Sequence, residues 1–88
     1  MMKTNSVNSE DLLNQAITAL EMLSGDPTLP RNFTAKLSET VKLLKQNSET
    51  KTKVSKALHT LEEISYDNNI DSMARSQIYN VVSMLEIV

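Results

Sequence analysis

His59 is the single histidine of this 88-residue chain, and cysteine is absent. A metal site here would have to recruit acids around one imidazole. The densest acids are two adjacent pairs, Glu10-Asp11 and Glu62-Glu63. Neighbours on a helix point about 100° apart, so neither pair converges on one ion. Glu63 follows His59 by one helical turn and is placed to meet it. His59 itself projects about 160° away from the apolar stripe of its segment, which is the geometry of a solvated residue. There is no Gly-rich phosphate loop and no Asp-rich loop with calcium-ligand spacing. Serines and threonines are plentiful, yet spacing sets no general base beside any of them. The chain therefore reads as non-catalytic, with no metal site and no cofactor-binding residue.

Two further groups of residues could do work. Lys36, Lys42, Lys45, Lys51, Lys53 and Lys56 fall in the middle third of the chain and could form a basic surface. Phosphate recognition needs clustered cations. Here Glu39 and Glu49 interrupt the run, aromatics are only 3% of residues, and the net charge is −2. Base stacking has little to use. Nucleic-acid binding is the secondary reading. The other group is apolar. Leu43, Met84 and Ile87 lie off the main stripes of their helices, and Val88 carries an apolar face to the last residue. Apolar side chains beyond what a core needs mark an interface when they cluster. Leu43, Met84, Ile87 and Val88 are the candidate interface.

These residues must be positioned by helices. A 40% apolar share with so few aromatics leaves Leu, Ile, Val, Ala and Met to build the core. That set favours helix on helix. The chain is long enough for one domain. Residues 1–8 are polar and read as a flexible N-terminal tail, and residues 9–88 as a single helical domain. Ser9 opens the first helix with Glu10 and Asp11 in its first turn. Leu12, Leu13, Ala16, Ile17, Leu20 and Leu23 follow at helical spacing. Ser24-Gly25-Asp26-Pro27 ends it, with Gly25 expected as a left-handed cap. Pro30 is expected at the first position of a second helix striped by Phe33, Leu37, Thr40, Val41 and Leu44. A third helix carries Val54, Ala57, Leu58, Leu61 and Ile64 and stops at Asp67-Asn68-Asn69. Asp71 is expected to cap a fourth, with Ala74, Ile78, Val81, Val82, Leu85 and Val88 inward.

The pattern repeats. Leu20-Glu21-Met22-Leu23-Ser24-Gly25-Asp26 returns at an offset of 41 as Leu61-Glu62-Glu63-Ile64-Ser65-Tyr66-Asp67. Ala16 falls on Ala57, Leu37 on Ile78, Val41 on Val82 and Leu44 on Leu85. The hairpin repeats cover about 9–46 and 48–88. The period lies in the HEAT range. The turn Asp26-Pro27-Thr28-Leu29-Pro30-Arg31 resembles the Asp-then-Pro/Arg turn of a HEAT repeat, and the second copy keeps Asp67 with Asp71 and Ser72 following. The expected fold class is all-α, four helices as two tandem HEAT-like helix-turn-helix hairpins in a compact bundle.

Asp26-Pro27-Thr28-Leu29-Pro30-Arg31-Asn32 and the stretches Leu61-Glu62-Glu63-Ile64-Ser65 and Val82-Ser83-Met84-Leu85-Glu86 carry a likeness. From about Leu12 onward the chain resembles a family of small archaeal proteins of uncharacterised function. It departs from that family at Asp71, where a proline is expected, and near Tyr79, where a tryptophan is frequent. The resemblance implies a cytoplasmic, all-helical protein with no assigned activity and no catalytic residue to carry over. No apolar run approaches membrane-spanning length. The expected role is a non-catalytic protein-interaction or scaffolding module that self-associates as a homo-oligomer or binds another protein. The alternative is a nucleic-acid-associated accessory protein using the central lysines.

Overall fold

The computed structural model describes residues 9–88, so the expected tail at 1–8 lies outside the described residues. Four α-helices account for the regular structure among them: α1 (Ser9–Ser24), α2 (Arg31–Lys45), α3 (Thr50–Ser65) and α4 (Ser72–Ile87). Each α-helix packs on its two neighbours in chain order, and α4 closes onto α1. Neither diagonal pair, α1 with α3 or α2 with α4, brings Cα atoms within 8 Å. The result is a closed, up-down four-helix bundle with short connections, the topology that short loops favour.

The repeat is visible in the boundaries. α3 begins and ends 41 positions after α1, and α4 begins 41 after α2. Two side-chain bonds recur in both turns. Ser24 Oγ donates to Glu21 O at 2.9 Å, and Ser65 Oγ donates to Glu62 O at 2.7 Å. The Thr28 N–H donates to Asp26 Oδ1 at 2.9 Å, and the Asn69 N–H donates to Asp67 Oδ1 at 2.9 Å. Each aspartate thus folds the chain back on itself, the local turn that Asp side chains favour.

Packing follows the stripes. Ala16, Leu20, Leu37, Ala57, Leu61, Ile78 and Val81 are fully buried, and Leu44 and Leu85 nearly so. Repeat mates are buried alike in this core, Leu20 and Leu61 and likewise Leu44 and Leu85. The pairing is uneven in two places. Phe33 corresponds to Ala74, and buried Thr40 corresponds to Val81. Thr40 satisfies its hydroxyl by donating to Lys36 O at 2.9 Å, which is how a threonine survives inside a helix.

Three sequence expectations change. Gly25 does not adopt the left-handed conformation. A Cβ there would meet Glu21 O at 3.7 Å and Met22 O at 3.8 Å, ordinary contact distances. Its mate Tyr66 is right-handed, at φ −86 and ψ −5, so the turn never needed glycine. Pro30 is not the first helical residue but the N-cap, with φ −57 and ψ 143. Its carbonyl accepts the Thr34 N–H at 3.0 Å and so starts the ladder. Leu58 and Val82, expected in the core, are only partly buried and pack against its edge. Asp71 caps α4 as expected, its Oδ1 accepting the Ala74 N–H at 2.8 Å.

Candidate functional site

The acids and the histidine do not assemble. His59 Nε2 and Glu63 Oε2 are 3.9 Å apart on the exposed side of α3, too far for a hydrogen bond. No group of three or more metal-ligating side chains converges among the described residues.

The six central lysines divide. Lys53 is buried, and its Nζ donates to Gln46 O at 2.9 Å. It thereby caps the C-terminal end of α2, where the helix dipole favours a cation. Lys45 Nζ pairs with Glu21 Oε2 at 2.7 Å across the α1/α2 boundary. Lys36, Lys42, Lys51 and Lys56 remain on the exposed surface. The continuous basic surface expected from sequence is therefore interrupted at Lys45 and Lys53.

A cleft of about 880 Å³ opens at the end of the bundle where α1 and α3 begin. Leu13, Ile17, Leu44 and Val88 form its apolar floor, and the Glu21–Lys45 pair spans its rim. Its repeat mate, about 440 Å³, is floored by Val54, Leu58, Leu85 and Val88. Its size suits a small ligand, but Lys45 and Lys53, the cations on its wall, are already engaged within the fold.

The candidate interface residues separate into two places. Met84 lies on the flank of α4 that faces α1, beside Ala19 and Met22. Ile87 is 66% exposed on the same outer side of α4. Val88 closes the end of the bundle between the two end clefts. Leu43 is the repeat mate of Met84, so it occupies the corresponding flank of α2, toward α3. It packs partly on the core. The structure thus brings Met84 and Ile87 together and puts Leu43 on the opposite side of the bundle.

What gathers around Met84 is a seam between α1 and α4. Met22 is 75% exposed and Met73 is 72% exposed. Helical spacing places Met73, Gln77, Asn80, Met84 and Ile87 in one row on α4. On α1, Gln15, Thr18, Ala19 and Met22 face the same side. Two shallow clefts of about 330 Å³ and about 500 Å³ share Ala19, Met22 and Met84. None of these nine side chains is charged. Asp11 and Asp26 stand at its two ends. Thr28 Oγ1 donates to Asp26 Oδ1 at 2.6 Å, and this bond with the Thr28 N–H holds the Asp26 carboxyl below its ordinary value. Asp26 therefore stays ionised.

Met22 and Ala19 escape the sequence reading because their helix already has enough apolar residues for a core, while Met73 stands in sequence only at the edge of the α4 stripe. A signal was present in the repeat. At offset 41, Met22 stands against Glu63, Ala19 against Thr60, and Met73 against Asn32. Apolar residues whose repeat mates are polar serve something other than the shared core.

With this geometry in view, the chain can be compared with known proteins. The profile of the Uncharacterised protein family UPF0147 matches residues 1–88. A UPF0147 protein of Methanocaldococcus jannaschii is 38% identical, over 90% of this chain and 86% of its own length. One of Sulfurisphaera tokodaii is 35% identical over 92% of each. Two crystal structures are similar, each with a TM-score of 0.86. One is the protein of unknown function MMP1188, 29% identical, covering 96% of this chain and 97% of its own. The other is a UPF0147 protein from Thermoplasma acidophilum, 28% identical, covering 90% and 94%. The chain belongs to the UPF0147 family.

Proposed function

We propose that this UPF0147 member is a non-catalytic protein-interaction or scaffolding module that docks other proteins through the α1/α4 seam. One observation carries this reading. The seam pairs exposed Met22 and Met73 with partly buried Met84 and is free of charge along its centre. Methionine side chains are flexible and polarisable, and they suit surfaces that must fit a partner. Contiguous exposed apolar surface is the usual mark of an interface.

The two hairpins are HEAT-like units in this reading, by their period, their paired Asp turns and their matching helix ends. They close on each other instead of stacking open, so the binding surface is a flank and not a concave groove. A cytoplasmic setting belongs to the same reading. No helix among the described residues is long and apolar enough to cross a membrane. The nucleic-acid alternative rests on four exposed lysines, since Lys45 and Lys53 are engaged.

An affinity capture from the native organism tests the proposal. The bait is the full chain, compared with a variant carrying Met22→Lys and Asn80→Lys, both at exposed positions. Captured proteins should be lost with the seam variant and kept with Lys36→Ala and Lys56→Ala. Equal capture by all three baits would contradict the docking face. Loss only with the lysine variant, with salt-sensitive nucleic acid in the captured fraction, would favour the alternative.

A further inference from the structure

We infer that the α1/α4 seam is covered by a second copy of this chain, related by a two-fold axis parallel to the helices. The inference rests on the docking reading and names its occupant. Three features of the seam select a second copy. First, an uncharged face needs no oppositely charged partner, so it is compatible with itself. A two-fold interface asks for that self-compatibility.

Second, the shape is self-complementary. Ala19 and Met84 adjoin the same two clefts. An axis parallel to the helices lays α1 of one copy on α4 of the other at the same height. Met84 then sits over Ala19 of the second copy, and the reverse, a long flexible side chain meeting a small one.

Third, the acids choose the axis. An axis crossing the helices would lay α1 on α1 antiparallel and bring Asp11 near Asp26 of the second copy. Like charges at an interface are unfavourable, and Asp26 is held ionised by Thr28. The parallel axis instead sets Asp26 against Gln77, its neighbour in the same cleft, and leaves Asp11 past the end of α4. The opposite flank, between α2 and α3, carries Lys36, Glu39, Lys56, His59 and Glu63 at the corresponding positions. Those charges disfavour burial of that flank, so of the two repeat-related flanks the α1/α4 seam is the one suited to a second copy.

The available area is small. Each of the two helices has 16 residues. Side by side they present a face roughly 24 Å long and roughly 20 Å wide. That is on the order of 500 Å², below the roughly 800 Å² per partner of a standard interface. A face this small fits a reversible dimer whose affinity is set by how well its side chains pack.

Sedimentation equilibrium of the full chain from micromolar to millimolar concentration is the test, with helicity followed by circular dichroism. The expected result is a reversible monomer–dimer equilibrium, weakened about tenfold or more by Met22→Lys with Asn80→Lys, since two desolvated charges oppose burial. Lys36→Ala with Lys56→Ala should leave it within about twofold. A strict monomer at every concentration overturns the second copy. If capture of another protein still depends on Met22 and Asn80, the docking reading survives that result. A dimer unaffected by the seam variant overturns the inference as well, because the contact then lies elsewhere.

Discussion

The α1/α4 and α2/α3 flanks are built from the same repeat and have become opposites. On α1 and α4, Gln15, Thr18, Met22, Gln77 and Asn80 are uncharged. Their mates on α3 and α2 are Lys56, His59, Glu63, Lys36 and Glu39. The backbone distinguishes the two flanks little, since the helix starts and the Asp turn bonds coincide at offset 41. The core does not distinguish them either, since Leu20 and Leu61 are equally buried. The difference between these two flanks lies chiefly in their surface side chains. A duplicated fold can keep one interior and diverge on its flanks, and the divergence is then a record of what each flank meets.

The interior half of that comparison is tested by the largest effect. Leu20→Ala and Leu61→Ala should each destabilise by about 2–5 kcal/mol, and by similar amounts, because both side chains are fully enclosed. Urea unfolding of the two variants checks this. A loss confined to one hairpin would break the equivalence of the cores.

The turns differ next. Arg75 Nε donates to Ser65 O at 3.1 Å, and its Nη2 donates to Asp67 O at 3.0 Å. The guanidinium straps α4 to the end of α3. Its mate Thr34 is too short and donates instead to Arg31 O at 3.0 Å. In the first turn the Leu29 N–H closes onto Asp26 O at 3.3 Å. Arg75→Ala should cost about 1–3 kcal/mol, while Thr34→Ala should cost a few tenths. Thermal melts of the pair decide whether the second hairpin depends on its strap.

A smaller change should go the other way. Gly25 takes no left-handed conformation and has room for a Cβ. Gly25→Ala should therefore stabilise by about 0.4–1 kcal/mol, through loss of unfolded-chain freedom. A drop in stability would show that the first turn does need glycine, unlike its mate Tyr66.

The smallest effect is a pH dependence. The Thr28 hydroxyl and N–H lower the Asp26 carboxyl below its ordinary value of 3.8. A lowered folded value means the unfolded chain binds the proton first. The contribution of Asp26 is therefore present above 3.8 and is lost as pH falls through the lower folded value. Thr28→Val should lower stability slightly at neutral pH and leave it unchanged at pH values below the folded Asp26 value, which flattens part of the acid limb of the stability–pH curve. An unaltered acid limb would show that the Thr28 bonds do not hold the carboxyl.

Much of the architecture is legible in the sequence because the helical stripes, the Asp turns and the 41-residue offset each constrain it. Ser24, Ser65 and Asp71 mark helix ends through their own side-chain hydrogen bonds. The roles of Gly25 and Pro30 were misplaced because both residues suit more than one position at a helix end. Lys53 was misread as surface charge, since its burial depends on where the α2 carboxyl end lies in space. The interface was half legible. Met84 and Ile87 stand off the α4 stripe in sequence. Whether Leu43 joins them depends on the order of helices around the bundle, which helical spacing does not contain. Met22 became meaningful only against Glu63, its charged mate.

The central claim is that the uncharged seam, and not its charged mate, meets the second copy. Amide chemical shifts of the labelled full chain, followed on dilution from millimolar to micromolar concentration, test it most directly. The account predicts concentration-dependent shifts at Ala19, Met22, Asn80 and Met84, with Lys36, Glu39, His59 and Glu63 unmoved. Shifts confined to the α2/α3 flank, or none at any concentration, would contradict it.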